Sequence, residues 1–276
     1  MTGGNVALVP VQSTVLTVGT EKVGYLLFND HVLTAEPALI SAFGTLQTQG
    51  VTDLVLDLRY NGGGYLFIAS EVGYMIAGGS GRPSLTNQVF ESTQFSSKRT
   101  GENETTTFED RACLPNPTTF NCTSSAPLPS LNLSRVYVLV SGGTCSASEA
   151  VVNGLRGVDV EVHLIGDTTC GKPYGFFGQD NCGITYFPIE FQGVNAKGFG
   201  SYADGFVPGG SGGAGVPGCA ANDDLDHALG DPAEGQLASA LSYRASGNSA
   251  CLPVAVANRQ TPLAATRDTA GMWPKR

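Results

Sequence analysis

The sequence predicts an α/β fold, and three observations carry that expectation. Short apolar runs alternate with stretches of helical spacing from Val23 to Ile165. The runs are apolar throughout, as in parallel strands buried on both faces. The composition also suffices for a sizeable core in a loop-rich globular protein: 276 residues, 41% hydrophobic, 14% charged, with 37 glycines.

Residues 1–22 form an N-terminal segment rich in Val, Thr and Gly, partly extended. Val23-Gly-Tyr-Leu-Leu-Phe28 is a strand, and Asn29-Asp30-His31 its turn. Pro37 stands near a helix start; Leu39, Ile40, Phe43 and Leu46 follow at helical spacing, and Gly50 is the stop. Leu54 to Leu58 is a short buried strand. Tyr60-Asn61-Gly62-Gly63-Gly64 follows at its carboxyl end, where α/β sheets bind ligands and where glycines let the backbone approach them. A phosphate loop is a competing reading, but no Gly-Lys-Ser/Thr follows. A helix runs from Leu66 to about Ala77. Ser80 to Leu133 is polar, with short strands such as Gln88-Val-Phe90, and Thr100 to Pro129 reads as a surface loop.

Arg135 to Ser141 is a buried strand broken by Gly142-Gly143. Ser146 opens a helix over Ala147–Leu155, and Val160 to Ile165 is the next strand. A turn at Gly166 leads to Gly171-Lys172. Ile184 to Phe191 reads as one edge strand because of Pro188. After a Gly/Pro-rich loop over 209–222, Asp231-Pro232 starts a helix that reaches about Tyr243. The core spans 23–257, with an insertion over about 95–130, and 258–276 is a C-terminal tail.

A net charge of −9 without a Lys/Arg cluster argues against nucleic acid and anionic membrane surfaces. No apolar run is long enough for a membrane-spanning helix. None of the seven cysteines shows the C-x-x-C spacing of a zinc site, and neither a metal nor an organic cofactor is expected. Cys113 with Cys122, Cys170 with Cys182 and Cys219 with Cys251 bracket loops and suit disulfides. Cys145 would be left free and buried, although spacing alone does not fix the connectivity. Such bridges suit a periplasmic or secreted protein. Met1-Thr-Gly-Gly lacks the features of a signal peptide, so the signal of an exported protein would lie outside this chain.

A serine at a strand-to-helix turn, followed one strand later by a lysine, suits a nucleophile and its base. A serine hydroxyl needs a base beside it. A lysine amine is a base only when neutral, which burial among apolar groups favours. Pro173-Tyr-Gly-Phe-Phe177 is placed to supply that burial, and the helix N-terminus aims N–H groups at developing negative charge.

S-A-S-E at 146–149 with G-K at 171–172, preceded by Asp57-Leu-Arg59-Tyr-Asn61-Gly-Gly-Gly64, resembles the carboxy-terminal processing (tail-specific) serine peptidases. Tyr202-Ala-Asp-Gly-Phe-Val-Pro208 is similar to a further segment of that family, so the resemblance covers roughly Val23 to Pro208. It implies a ClpP/crotonase-like core of mixed sheets and flanking helices. It also implies Ser146 as nucleophile, Lys172 as general base, and an oxyanion hole from the N–H of Ala147 and that of Gly62 or Gly63. The implied partner is a polypeptide with an unstructured, apolar C-terminus. No segment here matches the PDZ domain common in the family, so the chain is either a catalytic core cut from a longer precursor or a member that dispenses with that domain.

The sequence departs from the family pattern at Phe176, where many members carry a glutamine; Gln179 is near but out of register. Asp159 lies where some members have an aspartate, with a salt bridge or turn as its plainer role. His31 is the best histidine alternative as base; His163 reads as a strand residue and His227 as part of an acidic loop. Ser148 is read as structural and Glu149 as the partner of Ser146 in a capping box. Two other function classes stand beside the peptidase: a crotonase-like acyl-CoA hydrolase or isomerase, and a non-catalytic peptide-binding module.

Overall fold

The computed structural model describes residues 9–253. The expected tail at 258–276 lies outside the described residues. Strand β1 (Val11–Val18) pairs antiparallel with β2 (Glu21–Phe28) along its whole length. It therefore forms the edge of the main sheet, although it lies within the segment set apart as 1–22. Helix α1 (Ala35–Gln49) ends at Gly50, whose left-handed backbone closes the last turn. Strand β3 (Asp53–Asp57) and helix α2 (Leu66–Ala77) follow. Next come β4 (Val89–Phe95), β5 (Glu104–Thr107) and β6 (Arg135–Val140), then helix α3 (Ala147–Gly157) and β7 (Glu161–Gly166).

Short strands β8 (Tyr174–Gly175), β9 (Gln179–Asn181), β10 (Ile184–Tyr186) and β11 (Phe191–Val194) come next. The single edge strand expected over 184–191 is thus two strands. β10 pairs with β9 and β11 with β4, and Phe187-Pro188-Ile189-Glu190 between them is not strand. Pro188 has no N–H to continue a ladder. Strands β12 (Val207–Pro208), β13 (Gly215–Val216) and β14 (Gly218–Ala220) precede helix α4 (Gly235–Ala245). That helix starts after Asp231-Pro232 because Glu234 is its cap, accepting from the N–H of Gln236 and Leu237.

The main sheet has six strands in the order β1-β2-β3-β6-β7-β14, parallel from β2 onward. Successive residues alternate between two apolar clusters. Leu26, Phe28, Leu54, Leu56, Val136 and Val138 pack with α1, α2 and α3, whereas Tyr25, Leu27, Val55, Tyr137 and Leu139 pack with Leu237, Ala240 and Tyr243 of α4. Both faces are covered, which is why these strands lack polar alternation. Each such buried side chain stabilises by about 1.5–3 kcal/mol.

A second, antiparallel sheet runs β5-β4-β11-β8. It lies against α2 and α3 through Phe90, which meets Phe108 edge to face at 5.2 Å. Gly154 of α3 permits the approach: a Cβ there would sit 2.6 Å from the Phe90 ring. Glu91, the next residue on β4, borders one cavity with Ala147 and Ala150 of α3.

Candidate active site

Two turns meet at the carboxyl edge of the main sheet. The first follows β3. Arg59 is fully buried, and its guanidinium is held by Asp57 at 2.7 Å, Glu234 at 2.7 Å and Asp223 at 3.0 Å. Tyr25 donates to Asp57 at 2.6 Å. This network fixes the direction in which the turn leaves the sheet and ties it to the cap of α4. Asn61 shapes the turn from within. Its amide nitrogen donates to the Phe28 carbonyl, and its oxygen accepts from the Gly63 N–H at 3.0 Å. Gly63 has φ 97°, and a Cβ there would lie 2.7 Å from the Cys145 carbonyl and 2.9 Å from the Ala147 nitrogen. Only glycine permits both that backbone and that contact.

The second turn follows β6 and is stitched to the first. Thr144 Oγ1 donates to the Leu58 carbonyl at 2.8 Å, while the Cys145 N–H and Ser148 Oγ both donate to the Asn61 carbonyl, at 3.1 and 3.0 Å. Ser148 is thus structural, as expected. Ser146 sits at the turn's apex with φ 55° and ψ −115°, a conformation that costs a non-glycine residue of order 1–3 kcal/mol. Ala147 begins α3, and its N–H has no acceptor within the helix.

Glu149 holds this strained apex in place, and it does more than start a helix. Its buried carboxylate accepts from the Ser146 N–H at 3.0 Å and the Lys172 N–H at 2.8 Å through Oε2, and from Thr169 Oγ1 at 2.6 Å and the Gly171 N–H at 2.8 Å through Oε1. One carboxylate therefore fastens the backbone of the serine to the backbone of the lysine. Charge-assisted bonds of this kind are roughly twice as strong as neutral ones.

Ser146, Ala147, Gly62, Gly63 and Lys172 all line one cavity of about 680 Å³. The five residues singled out in the sequence are thus brought together. The Gly63 N–H is already committed to Asn61, whereas the Gly62 N–H has no acceptor among the described residues. Lys172 places its Nζ 5.0 Å from the ring centre of Phe176, so an aromatic face stands where the family pattern has an amide. Gln179 is turned away toward Glu190.

His31 lines the same cavity. Burial pulls its imidazole down to about 4, opposed by its 2.9 Å hydrogen bond to Asn61. It is neutral at pH 7, with Nδ1 on the Asn61 oxygen and a buried Nε2 that has no partner. Asp159 is exposed and paired with Lys197. His163 stacks on Tyr137 in the opposite face of the sheet, and exposed His227 pairs with Asp224 at 2.8 Å.

The cysteine pairing corrects one expectation. Cys113–Cys122 and Cys219–Cys251 form as read, but the third bridge is Cys145–Cys170, and Cys182 is free and exposed. The Cys170 N–H donates to the Thr144 carbonyl at 3.1 Å, which brings the Cys145 and Cys170 Cα atoms to 5.3 Å, within bridging distance. Cys182 is carried off to the turn between β9 and β10. The bridge therefore joins the residue before Ser146 to a residue two before Lys172.

Two residues escape a reading of the sequence. Glu149 looks like a helix start, because nothing in S-A-S-E reveals the four donors converging on it. Glu91 lines the cavity from β4 with 8% exposure, yet in V-F-E-S-T-Q-F it reads as an ordinary strand residue.

The chain is similar to known proteases. The chain is 30% identical over 172 residues to a carboxyl-terminal-processing protease of Picosynechococcus sp. strain PCC 7002, covering 62% of this chain and 34% of that protein. The solved structure of an S41 protease candidate from Bacteroides fragilis NCTC 9343 superposes with a TM-score of 0.70 at 29% identity, covering 89% of this chain and 60% of that one. The photosystem II D1 C-terminal processing protease shares the fold, with a TM-score of 0.54 at 22% identity over 74% of this chain and 48% of its own. The chain thus spans about a third of the length of the curated relative it matches. The expected mixed α/β architecture is the one these structures share. The model of peptidase family S41 matches residues 22–175, from the start of the parallel sheet to just beyond Lys172, and the chain belongs to that family.

Proposed function

We propose that this chain is the catalytic part of a serine endopeptidase that cuts unstructured polypeptide segments through an acyl-enzyme. The observation that carries the reading is the shared cavity of Ser146 and Lys172, whose backbones are joined through Glu149. Lys172 takes the Ser146 proton, and the serine oxygen bonds to the substrate carbonyl carbon. The N–H groups of Ala147 and Gly62 receive the oxyanion, each worth about 2.7–4 kcal/mol of barrier. The peptide C–N bond breaks and the leaving amine takes the proton from Lys172. Water, deprotonated by Lys172, then releases the acyl group and restores Ser146.

Exposed aromatic residues support an apolar stretch in the substrate: Tyr174 and Phe176 line the cavity, Phe187 packs beside Phe176, and Phe177 beside Phe191. Export is supported by the three disulfides. Incubation with an unfolded polypeptide, read by mass spectrometry, tests the assignment. Cleavage by the unaltered protein and none by Ser146→Ala or Lys172→Ala is the expected result. Cleavage that survives both substitutions would place the chemistry elsewhere, and peptide binding without cleavage would favour the binding-module reading.

A further inference from the structure

Glu91 is a buried carboxylate without a partner. It has no hydrogen bond and no ion pair among the described residues. Its side chain lies across the Cα of Gly193 on the neighbouring strand β11; a Cβ at Gly193 would sit 2.5 Å from the carboxylate. Burial alone pushes the carboxyl up to about 7, since no cation of the protein stands near enough to oppose it. Lys172, which leads into β8 on the other side of β11, makes no ion pair with it. Tyr202 does face it: that phenol is held well above its ordinary range by burial, by Glu91 and by Glu149.

A buried charge without a partner is costly, and an apolar residue at such a position would usually stabilise the fold. Glu91 nevertheless opens onto the same cavity as Ser146. The cavity also offers apolar surface for an aliphatic stem: Ala147 and Ala150 on the first turn of α3, with Leu66 and Phe191. A long side chain with an apolar stem and a cationic end complements both features.

Resting on the peptidase reading above, we propose that Glu91 sets specificity. It receives the ammonium or guanidinium of a Lys or Arg side chain on the substrate residue whose carbonyl Ser146 attacks. The Ala147 N–H faces that carbonyl, so the side chain of the same residue is the one nearest the Ala147–Ala150 wall. The binding pocket for that residue is what sets side-chain preference in serine peptidases generally.

Two peptides that differ only in Lys or Met at that residue test the proposal, because Met matches the stem and lacks the charge. At pH 8 the unaltered protein is expected to turn over the Lys peptide at least about tenfold better in kcat/KM, the discrimination expected of one charged contact. In Glu91→Gln, which keeps the shape, the Lys-to-Met ratio is expected to fall toward one. Binding of both peptides to Ser146→Ala, with and without Glu91→Gln, gives the same comparison independently of turnover. Tighter binding of the Lys peptide that needs Glu91 supports the proposal even if no peptide is cleaved, an outcome that would sink only the peptidase reading. Equal handling of both peptides by the unaltered protein, or a Lys preference that persists in Glu91→Gln, overturns it. Circular dichroism of each variant verifies that the fold is intact.

Discussion

The two walls of the cavity are built differently. The wall carrying Ser146 is cross-linked by hydrogen bonds from Thr144, Cys145 and Ser148 to the glycine turn, over a buried ion network at Arg59. The wall carrying Lys172 continues into a segment of two- and three-residue strands with Phe177, Ile184, Phe187 and Ile189 more than half exposed. The first wall is fixed before substrate arrives. The second meets the rest of the protein mainly through Glu149, the Cys145–Cys170 bridge and the short pairing of β8 with β11. The contrast teaches a division of labour: the strained serine, the proposed nucleophile, needs a rigid cradle, whereas the face proposed to meet a polypeptide leaves apolar area open for it to cover.

Breaking the joint between the walls gives the largest expected effect. Glu149→Ala leaves several buried donors without their acceptor and releases both Ser146 and Lys172. Turnover is expected to fall about 100-fold or more from misplacement alone. Stability should fall by about 3–5 kcal/mol, read by urea denaturation. If turnover were unchanged, Glu149 would be a helix cap and nothing else. Next in size, Cys145→Ser with Cys170→Ser removes the covalent joint, and a loss of about 2–4 kcal/mol is expected. A greater loss in turnover than in the Cys113→Ser, Cys122→Ser variant would show that the bridge aligns the site as well as stabilising the fold.

How much of this was legible follows from what each residue needs around it. The parallel strands were legible because burial on both faces makes them apolar throughout. β1 was not, since a solvated edge strand of alternating Val, Thr and Ser looks like loose extended chain. Ser146 and Lys172 could be placed from two local motifs in order. The Cys145–Cys170 bridge could not, because it depends on the meeting of two turns 25 residues apart. Glu91 was hidden for a similar reason: what marks it is the absence of a partner, and a sequence does not display absences of that kind.

A pH series separates stability from the site. Glu71 on α2 has its carboxyl pushed up to about 9, first by burial and then by the charge and hydrogen bond of Glu36, with Glu109 adding to it. Folding therefore holds this proton more tightly than the unfolded chain does. The contribution to stability is full below about 4.5, declines above it and is gone once the pH passes about 9. Glu71→Gln is expected to flatten that decline in urea titrations between pH 5 and 9. Glu36 accepts from the N–H groups of Cys113 and Leu114, so the stapled loop should be the part that loosens in the unaltered protein. An unchanged decline in Glu71→Gln would assign the effect to another group.

The smallest effect is expected at Phe176, whose ring centre lies 5.0 Å from Lys172 Nζ. The ring packs beside an amine that must be held in place, so Phe176→Ala is expected to lower kcat/KM by roughly two- to fivefold. Phe176→Gln, which restores the residue common in the family, sharpens the test. Recovery beyond Phe176→Ala would mean that this position serves the lysine, and an equal loss would mean that it serves the substrate.

The unpaired Cys182 has a practical consequence. It is the free thiol among seven cysteines, and it sits at the tip of the β9–β10 hairpin, after which Phe187 packs with its ring centre 5.4 Å from that of Phe176 in the cavity wall. A maleimide dye can be attached there without altering any other residue. Its emission would then report arrival and departure of the proposed polypeptide substrate in real time, turning the less constrained wall into a sensor of occupancy.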